Sequence, residues 1–223
     1  MSIIVDGMTS LLNVLYNFSA SLGFANYGVA IILLTILIKT LIYPLTYKQM
    51  ASMRKTVELQ PKIKAIQAKH KNNKEKANAA VMELYKENKV NPMGGCLPIL
   101  VQLPIFWALY STLLHFEYGA NPAAYSFLFF DLTKIYGFAP SYHLILPIFA
   151  AATTYLQTKL TNPNATDPTQ KTMLYMMPVF FAYISATVPA GLALYWVTMN
   201  VVSIFQQLYI NRKLANQGKK AIE

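Results

Sequence analysis

The sequence predicts an all-α membrane protein with five transmembrane helices, a cytoplasmic helical hairpin and an N-terminal interfacial helix. Three observations lead there. Apolar residues make up 55% of the chain and charged ones only 13%, against about 25% charged in average soluble proteins. Fifteen of the nineteen Lys and Arg residues fall in two short stretches, 47–91 and 211–223. Five nearly charge-free apolar runs, at 28–43, 96–116, 142–156, 173–188 and 192–210, make up most of the rest.

A spanning helix needs about 20 apolar residues. The second and fifth runs reach that length directly. The first, third and fourth are short, and either take in their polar flanks, cross a locally thinned bilayer, or re-enter on the same side. With flanks included, the spans are set at 24–46, 94–117, 141–160, 172–188 and 191–211. Residues 1–27 hold no Lys or Arg, while 47–91 hold eleven. The loop at 118–140 has only Lys134, the short loop around Pro163 has Lys159 and Lys171 at its edges, and the tail at 212–223 is basic again. Basic loops stay in the cytoplasm, so the N-terminus lies outside and the C-terminus inside. The net charge of +10 is thereby assigned to cytoplasmic segments, not to specific nucleic-acid recognition.

Residues 1–23 read as a helix on the outer surface. Ile4, Met8, Leu11, Leu12, Leu15 and Phe18 recur at helical spacing, with Asp6, Ser10, Asn13 and Asn17 opposite; a short core-packing helix fits equally well. In the hairpin at 47–91, Met53, Val57, Ile63 and Ile66 give one apolar stripe and Val81, Leu84 and Tyr85 another. A polar turn spans His70 to Lys74, Glu58 and Lys62 have the spacing of a helical ion pair, and Pro61 kinks the first helix unless it starts one. Cys96, the sole cysteine, reads as a small buried hydrophobe, and Gly94-Gly95 as a turn into the second span. The N-terminus lacks the basic region of a secretory signal.

The chain carries no phosphate-binding loop, no HExxH, no GxSxG and no His paired with acids in the spans, so an enzyme is not predicted. His70, His115 and His143 are too isolated for a metal site, and no cofactor is expected. Lys39 is the unusual residue. It lies about 16 Å along a helix from Gly28 at 1.5 Å per residue, among Ile36, Leu37, Ile38, Leu41 and Ile42. A Lys at a helix centre costs about 2.5–3.5 kcal/mol on insertion scales and marks a functional position by default. The bland alternative is snorkelling towards the cytoplasmic face.

Thr35, Lys39 and Tyr43 share one face of the first span. Trp196, Asn200, Ser203 and Gln207 form a stripe on the fifth; Gln102 lies in the second, and Thr154 and Gln157 in the third. Taken singly, each reads as an interhelical hydrogen bond; together they line a wet cavity. No acidic residue lies in any apolar run, which leaves Lys39 without an ion-pair partner there.

These residues carry a resemblance. Ile36-Leu37-Ile38-Lys39 with Tyr43-Pro44-Leu45-Thr46, then Leu59-Gln60-Pro61-Lys62-Ile63, then the run from Tyr85 through Asn91-Pro92-Met93-Gly94-Gly95-Cys96-Leu97-Pro98 to Gln102-Leu103-Pro104-Ile105-Phe106, resemble the YidC/Oxa/Alb family of membrane insertases. So do Pro189-Ala190-Gly191-Leu192, Leu194-Tyr195-Trp196 and Asn200. The resemblance covers the chain from about Leu22 to the basic tail.

It implies a five-helix core around a hydrophilic groove open to the cytoplasm and to lipid, in a bacterial plasma membrane. A cation sits in that groove. Most members have Arg; Lys39 keeps the charge but loses the planar fork. Thr35 and Trp196 match groove positions, and the second and fourth spans match a hydrophobic slide for the incoming segment. The implied partners are nascent membrane proteins and the lipid bilayer, with the Sec translocon, the signal recognition particle pathway and the ribosome. Some bacterial members carry an extra N-terminal span and a large extracytoplasmic domain; against them this chain reads as a minimal or trimmed member. The competing readings are a small solute transporter or channel subunit, and a structural subunit of a larger complex.

The orientation is testable by single Cys probes in a Cys96→Ala background. Probes at Ser10 and Ala123 are expected to label from outside intact cells, and probes at Asn73 and Asn216 only after permeabilisation. Outside labelling at Asn73 would reverse the topology.

Overall fold

The structure, a computed structural model, describes residues 2–90, 97–116, 121–138, 142–161 and 168–220. Cys96, the Gly94-Gly95 turn and the loop around Pro163 lie outside them. The described residues are mostly helical: α1 (Ser2–Ser21), α2 (Tyr27–Leu41), α3 (Tyr43–Lys69), α4 (Lys74–Glu87), α5 (Leu97–Leu114), α6 (Pro122–Tyr125), α7 (Ile145–Thr161), α8 (Pro168–Thr187) and α9 (Ala190–Lys220). They divide into two compact units, residues 1–42 with 103–209 and residues 43–102 with 210–223.

In the first unit α1 lies against α2. Leu12 is fully buried beside Ile31, Leu34, Leu109 and Tyr195, with Met8, Leu11 and Leu15 packed around it. Ile4 and Phe18 stay exposed, so only part of the predicted stripe enters the core. Tyr16 stacks on Tyr27 at 4.1 Å between ring centroids, and Tyr27 donates to the Asn13 side chain. The outer faces of α5, α7 and α8 remain apolar, with Leu103, Trp107, Ile148, Phe149, Val179 and Phe180 all exposed.

The first apolar run is not one helix over 24–46. Helix α2 stops at Ile42, whose N–H closes on Ile38, and α3 begins at Tyr43. Pro44 supplies the reason: it has no N–H to donate to the Thr40 carbonyl four residues back, and its ring crowds that carbonyl. Among the described residues no single helix is long and apolar enough to cross a membrane; α2 and α3 satisfy length and composition only as a broken pair.

The connection at 118–140 also departs from the all-helical expectation. Ser126–Phe127 (β1) and Phe130–Asp131 (β2) pair antiparallel, with Ser126 opposite Asp131 and Phe127 opposite Phe130. This hairpin is held to the start of α2 by Asn26. The Asn26 side chain accepts from Gly28 N at 2.8 Å, capping the helix. It also donates to the carbonyls of Ala123 and Ser126 at 3.0 and 2.7 Å. Further along, the carbonyls of Lys134 and Leu132 accept the first N–H groups of α9, from Ala190 and Gly191, both at 2.9 Å. Asp131 closes the loop on itself, accepting from the Thr133 N–H and hydroxyl and pairing with Lys134 at 3.3 Å. Partial burial pushes its carboxyl up, but these partners outweigh burial and hold it below the usual carboxylate range.

In the second unit α3 and α4 pack through Leu59, Ile63 and Val90, with Val81, Leu84 and Tyr85 alongside. The turn falls where the polar residues predict it, and Asn73 caps α4 by accepting from Lys76 N. Pro61 sits inside α3 rather than at a helix start. Glu58 pairs with Arg54, one turn back, at 3.2 Å instead of with Lys62; a guanidinium is the more weakly hydrated partner. Helix α9 continues past the predicted fifth span into the basic tail, where Lys213 lies over the Tyr47 ring at 5.3 Å.

The tightest joint is testable. A Cβ on Gly28 would fall within the Phe127 side chain. Gly28→Ala is therefore expected to cost about 1–3 kcal/mol by overpacking, read as a lowered thermal midpoint in detergent. Gly7→Ala, where a Cβ meets nothing, is the control and should not fall.

Candidate functional site

Lys39 and Thr35 are placed by α2, one turn apart. Both are buried, Lys39 at 9% exposure and Thr35 at 1%. The Thr35 hydroxyl donates to the Ile31 carbonyl at 2.7 Å, so it is satisfied within its own helix. The break at Ile42 moves Lys39 from the middle of a long span to the last turn of a short helix. There its charge complements the negative end of the helix dipole, which offsets part of the cost of burial. Among the described residues the ion pairs are Arg54–Glu58 and Lys134–Asp131; Lys39 has none.

The same break frees the Lys39 carbonyl, which no longer meets an N–H four residues on. Gln206 of α9 takes that place, its side-chain N–H donating at 3.1 Å. Gln206 was not singled out by sequence reasoning, which followed the stripe through its neighbour Gln207. The missed signal was a second consecutive glutamine in an apolar run. Its carbonyl oxygen is buried and without a partner among the described residues.

The predicted stripe on α9 faces α7. Asn200, 1% exposed, donates through its amide to the hydroxyls of Thr153 and Thr154 at 3.1 and 2.9 Å. The Trp196 indole N–H reaches the same Thr154 hydroxyl at 3.2 Å, and Thr161 donates to Gln207 at 3.0 Å. For Asn200, Trp196 and Gln207 the interhelical bond is therefore the better description, and a run of hydroxyl and amide groups binds α7 to α9. The Trp196 ring stacks on Phe181 at 3.7 Å and meets Phe106 edge-on, beside a small apolar pocket lined by Ile184, Val188 and Ala193. Gln157 is half-buried on α7. Tyr43 and Gln102 belong to the second unit.

The arrangement has one chemical capability. A buried cation on α2 and, on the α9 side chain that holds its backbone carbonyl, an amide oxygen without a partner among the described residues can attract an anionic group and a hydrogen-bond donor respectively. Among the described residues no group of three or more His, Cys, Asp or Glu side chains is placed to hold a metal.

The family described as 60Kd inner membrane protein matches residues 18–217. Among curated relatives, the membrane protein insertase YidC of Geobacter sulfurreducens is 42% identical over 195 residues, covering 87% of this chain and 35% of that protein. That of Wolinella succinogenes is 41% identical over 211 residues, covering 95% of this chain and 37% of its own. A crystal structure of an active YidC insertase with its first transmembrane domain resolved matches with a TM-score of 0.68 and 27% identity, over 90% of this chain and 44% of that one. The chain thus spans about a third of the length of the curated relatives it matches.

The α7–α9 bonds can be weighed by a double-mutant cycle. Asn200→Ala and Thr154→Val are each expected to destabilise, with a coupling of about 0.6 kcal/mol and at most about 1.7. Strict additivity would show that the two groups do not share a bond.

Proposed function

The chain belongs to the 60Kd inner membrane protein family, that of the YidC insertases, and on that premise we propose that it inserts membrane proteins without catalysing a covalent reaction. Helices α2, α5, α7, α8 and α9 serve as five spans, with the N-terminus outside and the basic end of α9 in the cytoplasm. The single observation that carries the reading is Lys39, a buried cation with no acidic partner among the described residues.

A short polar tail of a substrate enters from the cytoplasm, and an acidic one is drawn by Lys39. Bringing charge into a medium of low dielectric is the barrier to crossing, and a fixed opposite charge lowers it. The substrate's apolar helix then leaves sideways along the exposed apolar faces of α5 and α8 into lipid, where its burial supplies the driving force. For an acidic tail moving outward, a potential positive outside adds about 2.3 kcal/mol per charge per 100 mV. We assign the α3–α4 hairpin and the basic end of α9 to the ribosome, the signal recognition particle pathway and the Sec translocon.

The test is an insertion assay with purified protein and two substrates differing only in tail charge, run beside expression levels. Lys39→Arg should be nearly neutral. Lys39→Ala should slow insertion of the acidic substrate severalfold and spare the neutral one, and Lys39→Glu should be worse than Ala for the acidic tail. If Lys39→Ala inserts both like the parent, the cation is idle and snorkels. Solute flux through proteoliposomes, without insertion, would support the transporter reading instead.

A further inference from the structure

The hairpin β1–β2 has an unusual tip. Leu128 and Phe129 form its two-residue turn and are 75% and 70% exposed. Leu128 also has φ of +54°, a left-handed conformation that hairpin turns ordinarily give to Gly, Asn or Asp. For a branched apolar side chain that backbone is strained. In water the choice is unfavourable twice over, once for strain and once for exposed apolar area. An apolar surrounding at the tip reverses the exposure penalty, because removing a Leu or Phe side chain from water is favourable.

The position of the tip says what that surrounding is. Asn26 caps α2 and holds the Ser126 carbonyl with the same side chain, and Phe127 packs on Gly28, in the first turn of α2. Leu128 and Phe129 follow Phe127 directly, so the tip starts at the level where the apolar helix begins. Among the described residues of the loop the two charges pair with each other, Lys134 with Asp131 at 3.3 Å, and Leu128 and Phe129 themselves bring no charge to the tip. A convex projection of two side chains offers little area to a protein partner, but it suits the boundary between headgroups and acyl chains, where isolated apolar and aromatic side chains anchor.

We propose that Leu128 and Phe129 insert into the outer leaflet and moor the extracytoplasmic loop to lipid at the mouth of α2. This rests on the reading that α2 spans the membrane, and the experiment separates the two. In a Cys96→Ala background, nitroxide labels are placed singly at Leu128, Phe129, Leu37 and Asn121. The protein is reconstituted in phosphatidylethanolamine–phosphatidylglycerol vesicles, and collisions with oxygen and with a water-soluble nickel chelate are compared. Labels at Leu128 and Phe129 are expected to shift towards oxygen, in the same sense as Leu37 on the outward face of α2, while Asn121 stays accessible to nickel. Labels at 128 and 129 that behave like Asn121, with Leu37 in lipid, would overturn the anchor and leave the span intact. Labels at 128 and 129 that are shielded from both reagents would overturn it in favour of a protein partner or a second copy. A water-exposed Leu37 would overturn the span and the anchor together.

Discussion

The structure depends on one constraint: in a bundle that is apolar on nearly every face, each polar atom must find its partner inside the chain. Helix α2 meets it at both ends. Asn26 satisfies the first turn and holds the Ala123 and Ser126 carbonyls with the same amide. Gln206 satisfies the carbonyl that the Pro44 break leaves open. Between those ends α2 needs only packing, which Ile31 and Leu34 provide against Leu12, Leu109 and Tyr195. The bonds of Asn200 and Trp196 to Thr153 and Thr154 apply the same rule between α7 and α9.

Against that background the two unsatisfied groups have meaning. The chain places a partner for nearly every other buried polar side chain in the first unit, yet among the described residues leaves Lys39 without an ion pair and the Gln206 oxygen without a hydrogen bond. A bundle built only to be stable would do better with an apolar residue at position 39. The proposed handling of substrate tails draws on these open valences.

Much of this was legible in the residues. The five apolar runs lie on helices, the His70–Asn73 turn separates α3 from α4, and the isolation of Lys39 followed from the absence of acids in the runs. Other features depended on tertiary context. The polar stripe on α9 was visible, but only the facing Thr153 and Thr154 decide that Asn200 and Trp196 spend their donors on α7. Gln206 gained its role from a helix break four residues downstream of Ile38, on another element. The β1–β2 hairpin escaped notice because Leu128-Phe129 lacks turn chemistry, and its two-residue strands are too short for alternation to register. Glu58 chose Arg54 over Lys62 although both spacings were open.

The first N–H groups of α9 are received by main-chain atoms, the carbonyls of Leu132 and Lys134 accepting from Gly191 and Ala190. Such a socket does not read side-chain identity, but it does read the number of peptide units between β2 and residue 134. Over evolutionary drift this segment should resist insertions and deletions, while Leu132, buried in the core, stays apolar. Among relatives, its length is then a more durable signature than its composition.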